Sequence, residues 1–83
     1  METVTAATVP VLTRAQQIAR RSGYSVKGLA RAISIDHSMV SRVLNGRRQP
    51  SIVTLHLLAN QLGLSMDDLY EYLEEVREEN AVR

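Results

Sequence analysis

Apolar residues recur every three or four positions in five short stretches of this chain, which is the spacing of amphipathic helices. The first predicted helix runs from Arg14 to Arg21. Thr13 lies three residues before Gln16, the spacing of a capping box, and Gly23 is a typical helix end. The inward positions of this helix are Ala15, Ile18 and Ala19.

Two further helices, separated by a tight turn, are predicted between Ser25 and Gly46. Ser25 caps the first and Asp36 the second, because the side-chain oxygens of Ser and Asp accept hydrogen bonds from first-turn amides. Residues 33–35 form the turn, and Asn45 with Gly46 ends the second helix. The apolar stripes are Val26, Leu29 and Ala30 in one helix and Met39, Val40, Val43 and Leu44 in the other.

The remaining pattern predicts a fourth helix from Ser51 to Gly63 and a fifth that begins after Ser65 and frays near Asn80. Their buried faces are Leu55, Leu58, Ala59 and Leu62, then Leu69, Leu73 and Val76. No stretch alternates as a strand would. The sequence therefore predicts an all-α, compact five-helix domain over residues 11–76. A flexible N-terminal tail over 1–10 precedes it, and an acidic C-terminal tail over 77–83 follows.

Composition and charge narrow the function. The 83 residues include no Cys, Trp or Phe, so the core is expected to be aliphatic and free of disulfides. Residues 10–50 carry eight basic side chains against one acidic, whereas residues 51–83 carry seven acidic against two basic. Such segregation suggests one face that binds a polyanion and another that avoids it, although both could simply be solvated surfaces.

The chain offers little for catalysis or for a membrane. Its two histidines, His37 and His56, lack metal-ligand spacing with a carboxylate, and the consecutive Asp36, His37 and Ser38 cannot form a relay on a helix. We therefore expect neither an enzyme nor a cofactor. There is also no basic signal-peptide segment and no apolar run of membrane-spanning length, so a cytoplasmic location is expected.

The segment SVKGLARAISIDHSMVSRVLNGRRQPS, followed by TLHLLANQLGLSMDDLY, resembles the Cro and lambda-repressor-type (XRE-like) helix-turn-helix DNA-binding family. The resemblance covers about Leu12 to Leu73 and implies a lambda-repressor-like fold. It implies that Ala30 lies where the two motif helices cross and that Ile35 fills the turn. Ser34 departs from the family pattern, because that position is commonly a glycine with positive φ.

By family position, the third helix is expected to read DNA bases through His37, Ser38 and Arg42. An arginine can donate two hydrogen bonds to guanine. Met39 could touch a thymine methyl, although a core methionine is the favoured alternative. Phosphate contacts are expected from Ser25, Lys27, Ser41, Asn45, Arg47 and Arg48, with Arg14, Arg20 and Arg21 as weaker candidates.

One recognition helix reads few base pairs, so a homodimer on an inverted-repeat operator is expected. Tyr72, Leu73 and Val76 are the predicted dimer contacts, although Leu73 could instead complete the monomer core. The function that the resemblance implies is a transcriptional regulator of double-stranded DNA, expected to repress, without a small-molecule effector. The alternative is a helix-turn-helix protein-interaction module, an adaptor or antitoxin, that does not read DNA as its main role.

Overall fold

The computed structural model describes residues 12–82, and this region is entirely helical apart from its turns. The expected tail over 1–10 lies outside the described residues. The all-α, lambda-repressor-like fold is confirmed. The five helices of the described region are α1 (Arg14–Arg21), α2 (Val26–Ile33), α3 (His37–Leu44), α4 (Ile52–Leu62) and α5 (Met66–Val82).

Local capping explains where the helices begin. At α1, Thr13 Oγ1 accepts from the amide of Gln16 at 3.2 Å, and Gln16 Oε1 accepts from the amide of Thr13 at 2.9 Å, which completes the predicted capping box. Ser25 and Ser51 cap α2 and α4 by accepting hydrogen bonds from third-position amides. Asp36 caps α3 with its carboxylate. These predicted starts are all confirmed.

The helices enclose one aliphatic core. Its largest fully buried leucines are Leu29, Leu44, Leu58 and Leu69, so every helix except α1 supplies one. Ala15, Ile18 and Ala19 supply the inner face of α1, as predicted. No polar or charged side chain is buried within residues 12–82. Hydrophobic burial therefore holds the helices together, while polar contacts act at the surface.

The turn between α2 and α3 requires an uncommon backbone conformation. Ser34 has φ 59° and ψ 40°, in the left-handed region that glycine adopts most easily. Its amide donates to Arg31 O at 3.2 Å, and the amide of Ile35 donates to Ala30 O at 3.0 Å. These bonds end α2 and reverse the chain into α3, which packs against both α1 and α2.

The last helix is longer than the sequence indicated. Residues 77–82, which were predicted to form a separate tail, continue α5 without a break. The helix therefore extends two residues beyond Asn80, near which fraying is expected from the sequence. Asn80 Nδ2 donates to the backbone oxygen of Asn45 at 2.9 Å, and Val76 is buried. These tertiary contacts stabilise a helical end that local sequence gave no reason to extend.

Candidate nucleic-acid interface

Helix α3 is buried along one side and exposed along the other. Val40, Val43 and Leu44 lie in the core. The exposed side carries His37, Ser38 and Arg42, the three predicted base-reading residues. A helix held in this way can place one face in a major groove, about 12 Å wide, without losing its core contacts.

The Asp36 carboxylate fixes the start of α3. Its Oδ2 accepts hydrogen bonds from the amides of Ser38 at 2.9 Å and Met39 at 3.3 Å. The Ser38 side chain itself remains exposed beside that cap. Met39 is half-buried and packs against the core, which favours the core role over contact with a thymine methyl.

A surface groove joins the start of α3 to helices α1 and α2. Its polar lining residues are Gln16, Arg20, Ser25, Lys27 and His37. Ser25 and Lys27, predicted for phosphate contact, therefore lie beside a predicted base reader. The groove also includes Arg20, a weaker candidate, and Gln16, which sequence reasoning missed. Their spacing of four residues, which places both on one side of α1, was the available signal.

Arg47 and Arg48 are exposed on the loop that follows α3. Within residues 12–82, the two salt bridges join Arg14 to Glu79 and Arg77 to Glu74. The guanidinium groups of Arg47 and Arg48, like that of Arg42, take part in neither. They are thus placed at the end of α3 with their donors available to an external anion.

The side chain of Asn45, a predicted phosphate contact, forms hydrogen bonds inside the protein. Its Oδ1 accepts from the amide of Ala15 at 2.9 Å, and its Nδ2 lies 3.4 Å from Ser41 Oγ as a donor. Ser41 is half-buried through this contact. The two side chains connect the end of α3 to the start of α1, a role that their polarity alone could not reveal.

Arg14 and Arg21 differ from Arg20, the one arginine that lines the groove. Arg14 Nε donates to Glu79 Oε1 at 3.0 Å, and a second contact joins its Nη2 to the same carboxylate. The hydrogen bonds to Glu79 raise the pKa of Arg14. Arg21 lines a separate depression with Ile18, Leu62 and other residues, away from the groove that contains His37.

A comparison with protein families agrees with this structure, that is, with the order of the helices, the left-handed turn and the exposed face of α3. Residues 14–69 match the helix-turn-helix family, which is more than half of the chain. The chain belongs to the XRE, or lambda-repressor-type, helix-turn-helix family. It is therefore a DNA-binding helix-turn-helix regulator. No curated protein and no solved structure shows significant similarity to it.

Two of the three predicted dimer residues of this regulator need correction. Leu73 is 5% exposed and Val76 is 1% exposed, so both complete the core of one protomer and present no surface to a second. Tyr72 is half-buried, and its hydroxyl donates to Arg14 O at 2.8 Å. Helical spacing identifies the inward face of α5, but it cannot show whether that face is covered by the same protomer or by a second one.

Other apolar residues are exposed instead. Ile52, Val53 and Tyr70 are 74%, 67% and 53% exposed, at the start of α4 and on α5. Ile52 and Tyr70 line a second groove, of about 140 Å³. It lies next to the loop after α3 that carries Arg47 and Arg48, which we call the basic loop. The other lining residues are Val43, Arg48, Gln49, Pro50, Leu55, Leu73, Glu74 and Arg77.

Within residues 12–82, no group of three or more His, Cys, Asp or Glu side chains is arranged to hold a metal ion. No helix in the same region combines the length and the apolar character needed to cross a membrane.

Proposed function

We propose that this regulator reads a specific DNA sequence by inserting α3 into the major groove. The observation that carries the proposal is the exposed row of His37, Ser38 and Arg42 on a helix whose opposite side is buried. Arg42 donates two hydrogen bonds to guanine O6 and N7, which contribute about 1–3 kcal/mol of discrimination. His37 and Ser38 contact base edges or phosphates near the start of the helix.

Phosphate contacts at both ends of α3 set its register. Ser25, Lys27 and Arg20 line the groove at the first end, and Arg47 and Arg48 extend from the loop at the second. Contacts of this kind provide affinity and salt dependence but carry no sequence information. The acidic residues of α5 repel phosphates, so this part of the surface faces away from the DNA.

The regulator acts as a homodimer through the exposed apolar surface of Ile52, Val53 and Tyr70. This surface is next to the reading helix, because Val43 of α3 lines the same groove. The groove also carries the ion pair of Arg77 and Glu74, so a two-fold-related copy meets both signs of charge there. A two-fold axis here would present two copies of α3 to successive major grooves.

A charge placed in this apolar surface tests the dimer. Ile52→Glu should give a monomer in sedimentation equilibrium and weaken binding to an inverted repeat, while binding to a single half-site is retained. Asn60→Glu is the control, because it adds the same charge to an exposed position of α4. A dimer that persists in the Ile52 variant, with unchanged binding to the repeat, would rule out this surface.

Repression follows from occupancy: a dimer bound at promoter DNA excludes the polymerase from the same segment. In this proposal the protein acts in the cytoplasm, where it reaches the DNA that it regulates. In this proposal, occupancy of the DNA alone controls transcription, without a small-molecule effector.

Removing three arginines tests the DNA-reading function as a whole. Arg42→Ala, Arg47→Ala and Arg48→Ala in one chain should abolish measurable binding to a duplex enriched from a random pool, with unchanged far-UV circular dichroism. Arg21→Ala should bind that duplex as the unmodified protein does, since Arg21 lies away from the groove of His37. Wild-type-like binding by the triple variant would instead favour the protein-interaction module.

A further inference from the structure

The last turns of α5 contact the point where α3 ends. Asn80 Nδ2 donates to Asn45 O at 2.9 Å, across 35 positions of sequence. The side chain of Asn45 accepts from the amide of Ala15 in the first turn of α1. Asn45 therefore connects three helices: its own carbonyl binds α5, and its amide oxygen binds α1.

The backbone at Gly46 approaches α5 very closely. A Cβ atom on Gly46 would lie 2.8 Å from Val76 Cγ1 and 2.9 Å from Asn80 Nδ2, closer than real Cβ atoms come to their neighbours. Gly46 also has a positive φ of 74°. Only glycine thus permits the turn after α3 to pack against this part of α5.

A second contact connects the same part of α5 to α1. Glu79 pairs with Arg14, whose guanidinium lies 5.9 Å from the ring centre of Tyr72. The hydroxyl of Tyr72 donates to the backbone oxygen of Arg14 at 2.8 Å. The start of α1 and the end of α3 are thus both attached to α5. We call the α5 residues Val76, Glu79 and Asn80 the C-terminal clasp.

We propose that the C-terminal clasp positions the end of α3, and the basic loop after it, for DNA recognition. The clasp lies beyond residues 14–69, the segment matched to the family. Asn80 acts as a positioning residue that touches no DNA. It holds the last turn of α3, one turn beyond Arg42, and so sets the direction in which Arg47 and Arg48 leave the helix. The proposal rests on the proposed reading of bases by α3.

The reason is geometric. A protein loses affinity for its ligand when the side chains that contact the ligand can move by more than about 0.5 Å. The correct arrangement is then only one of several that the free protein adopts. The apparent affinity falls by the fraction of molecules that keep that arrangement. Loss of the clasp should therefore reduce sequence-specific binding more than general attraction to phosphates, which tolerates many arrangements.

Asn80→Ala tests the proposal against a matched control, Asn60→Ala. Both replace an exposed helical asparagine, so both change helix propensity alike, but only Asn80 forms an interhelical hydrogen bond. Affinity for an enriched duplex should fall about two- to tenfold in Asn80→Ala, the range for one hydrogen bond. Affinity for a scrambled duplex should not change.

A clasp that only stabilises the fold gives a different result. Loss of folded protein lowers both affinities by the same factor, so their ratio stays constant. A constant ratio of specific to non-specific affinity in Asn80→Ala would overturn the proposal, whether both affinities fall or neither does. The melting temperature of each variant confirms that binding is measured on folded protein.

Hydrogen exchange gives a readout without DNA. The amide of Gly46 donates to Val43 O at 3.1 Å, and the amide of Arg47 donates to Arg42 O at 2.8 Å. The exchange rates of these two amides therefore report on the end of α3. Their exchange should accelerate in Asn80→Ala and not in Asn60→Ala. Unchanged exchange would overturn the proposal. If the unmodified protein shows no sequence preference, base reading itself fails, and exchange alone decides whether the clasp holds α3.

A glycine pair provides an independent variant. Gly46→Ala should displace α5 and lower the ratio of specific to non-specific affinity, because its Cβ meets Val76 and Asn80. Gly63→Ala is the control: its φ of 73° imposes the same backbone strain, but no atom lies within 4 Å of the added Cβ. An equal ratio of specific to non-specific affinity in these two variants would contradict the positioning role of the C-terminal clasp.

Discussion

Replacing Ser34 by glycine is expected to stabilise the folded domain without changing DNA binding. Ser34 is the one residue other than glycine with a positive φ among residues 12–82, at φ 59° and ψ 40°. Its side chain is exposed and forms no hydrogen bond within that region. The substitution therefore removes a Cβ from a strained position without removing a contact.

Two opposing contributions determine the magnitude. A left-handed conformation costs an ordinary residue about 1–2 kcal/mol, which glycine avoids. Glycine loses about 0.5–1 kcal/mol more backbone entropy on folding. The net gain is about 0.5–1 kcal/mol. For a domain of this size, the melting temperature should rise by about 2–8 °C.

Calorimetry and urea unfolding of Ser34→Gly provide the measurement, with Ser34→Ala as the control. Alanine keeps the Cβ and removes only the hydroxyl, so it should leave the free energy of unfolding within about 0.5 kcal/mol of the original. Affinity for an enriched duplex should be the same for all three proteins, because Ser34 lies outside the reading face. A glycine variant that is less stable than the serine protein would refute the assignment of strain to this turn.

Three other variants test separate parts of the structure. Arg47→Ala should lower the slope of log affinity against log salt by about 1, as expected for one lost phosphate contact, and titrations at several salt concentrations measure it. Burial raises the pKa of Tyr72, so the folded state holds the phenolic proton more tightly and stability falls as the pH rises above about 10. Tyr72→Phe should reduce this alkaline loss in thermal melts at pH 9 and 11, and an unchanged loss would exclude Tyr72 as its source. Gly28→Ala should stabilise α2 by less than the usual gain of about 0.5–1 kcal/mol, because the new Cβ would lie 3.2 Å from the capping Ser25 Oγ. A full gain, measured by urea unfolding, would show that the Ser25 side chain moves away from the new Cβ without cost.

The parts of this fold that depend on local sequence were predictable. A cap and the amides it binds lie within three residues of each other, so Thr13, Ser25 and Ser51 revealed helix starts directly. Helical periodicity likewise separated the buried Val40 from the exposed Arg42 on α3. Neither inference required knowledge of what the rest of the chain does.

Contacts between distant residues were not predictable in the same way. Arg14 and Glu79 are 65 positions apart, and Asn45 and Asn80 are 35 apart. A polar residue that binds another helix has the same local pattern as one that only faces water. For this reason local sequence does not reveal that Asn45 connects three helices or that Val76 is buried within one protomer.

Parallel selections of DNA by the unmodified protein and by Arg42→Ala test the central claim most directly. Each protein selects from a random duplex pool at about 150 mM salt, near physiological ionic strength, and the enriched sequences are compared. The account predicts an inverted repeat with half-site centres about one helical turn apart. In Arg42→Ala the preference should be lost at one guanine in each half-site and kept elsewhere. No enriched sequence, or the same motif from both proteins, would contradict base reading by α3.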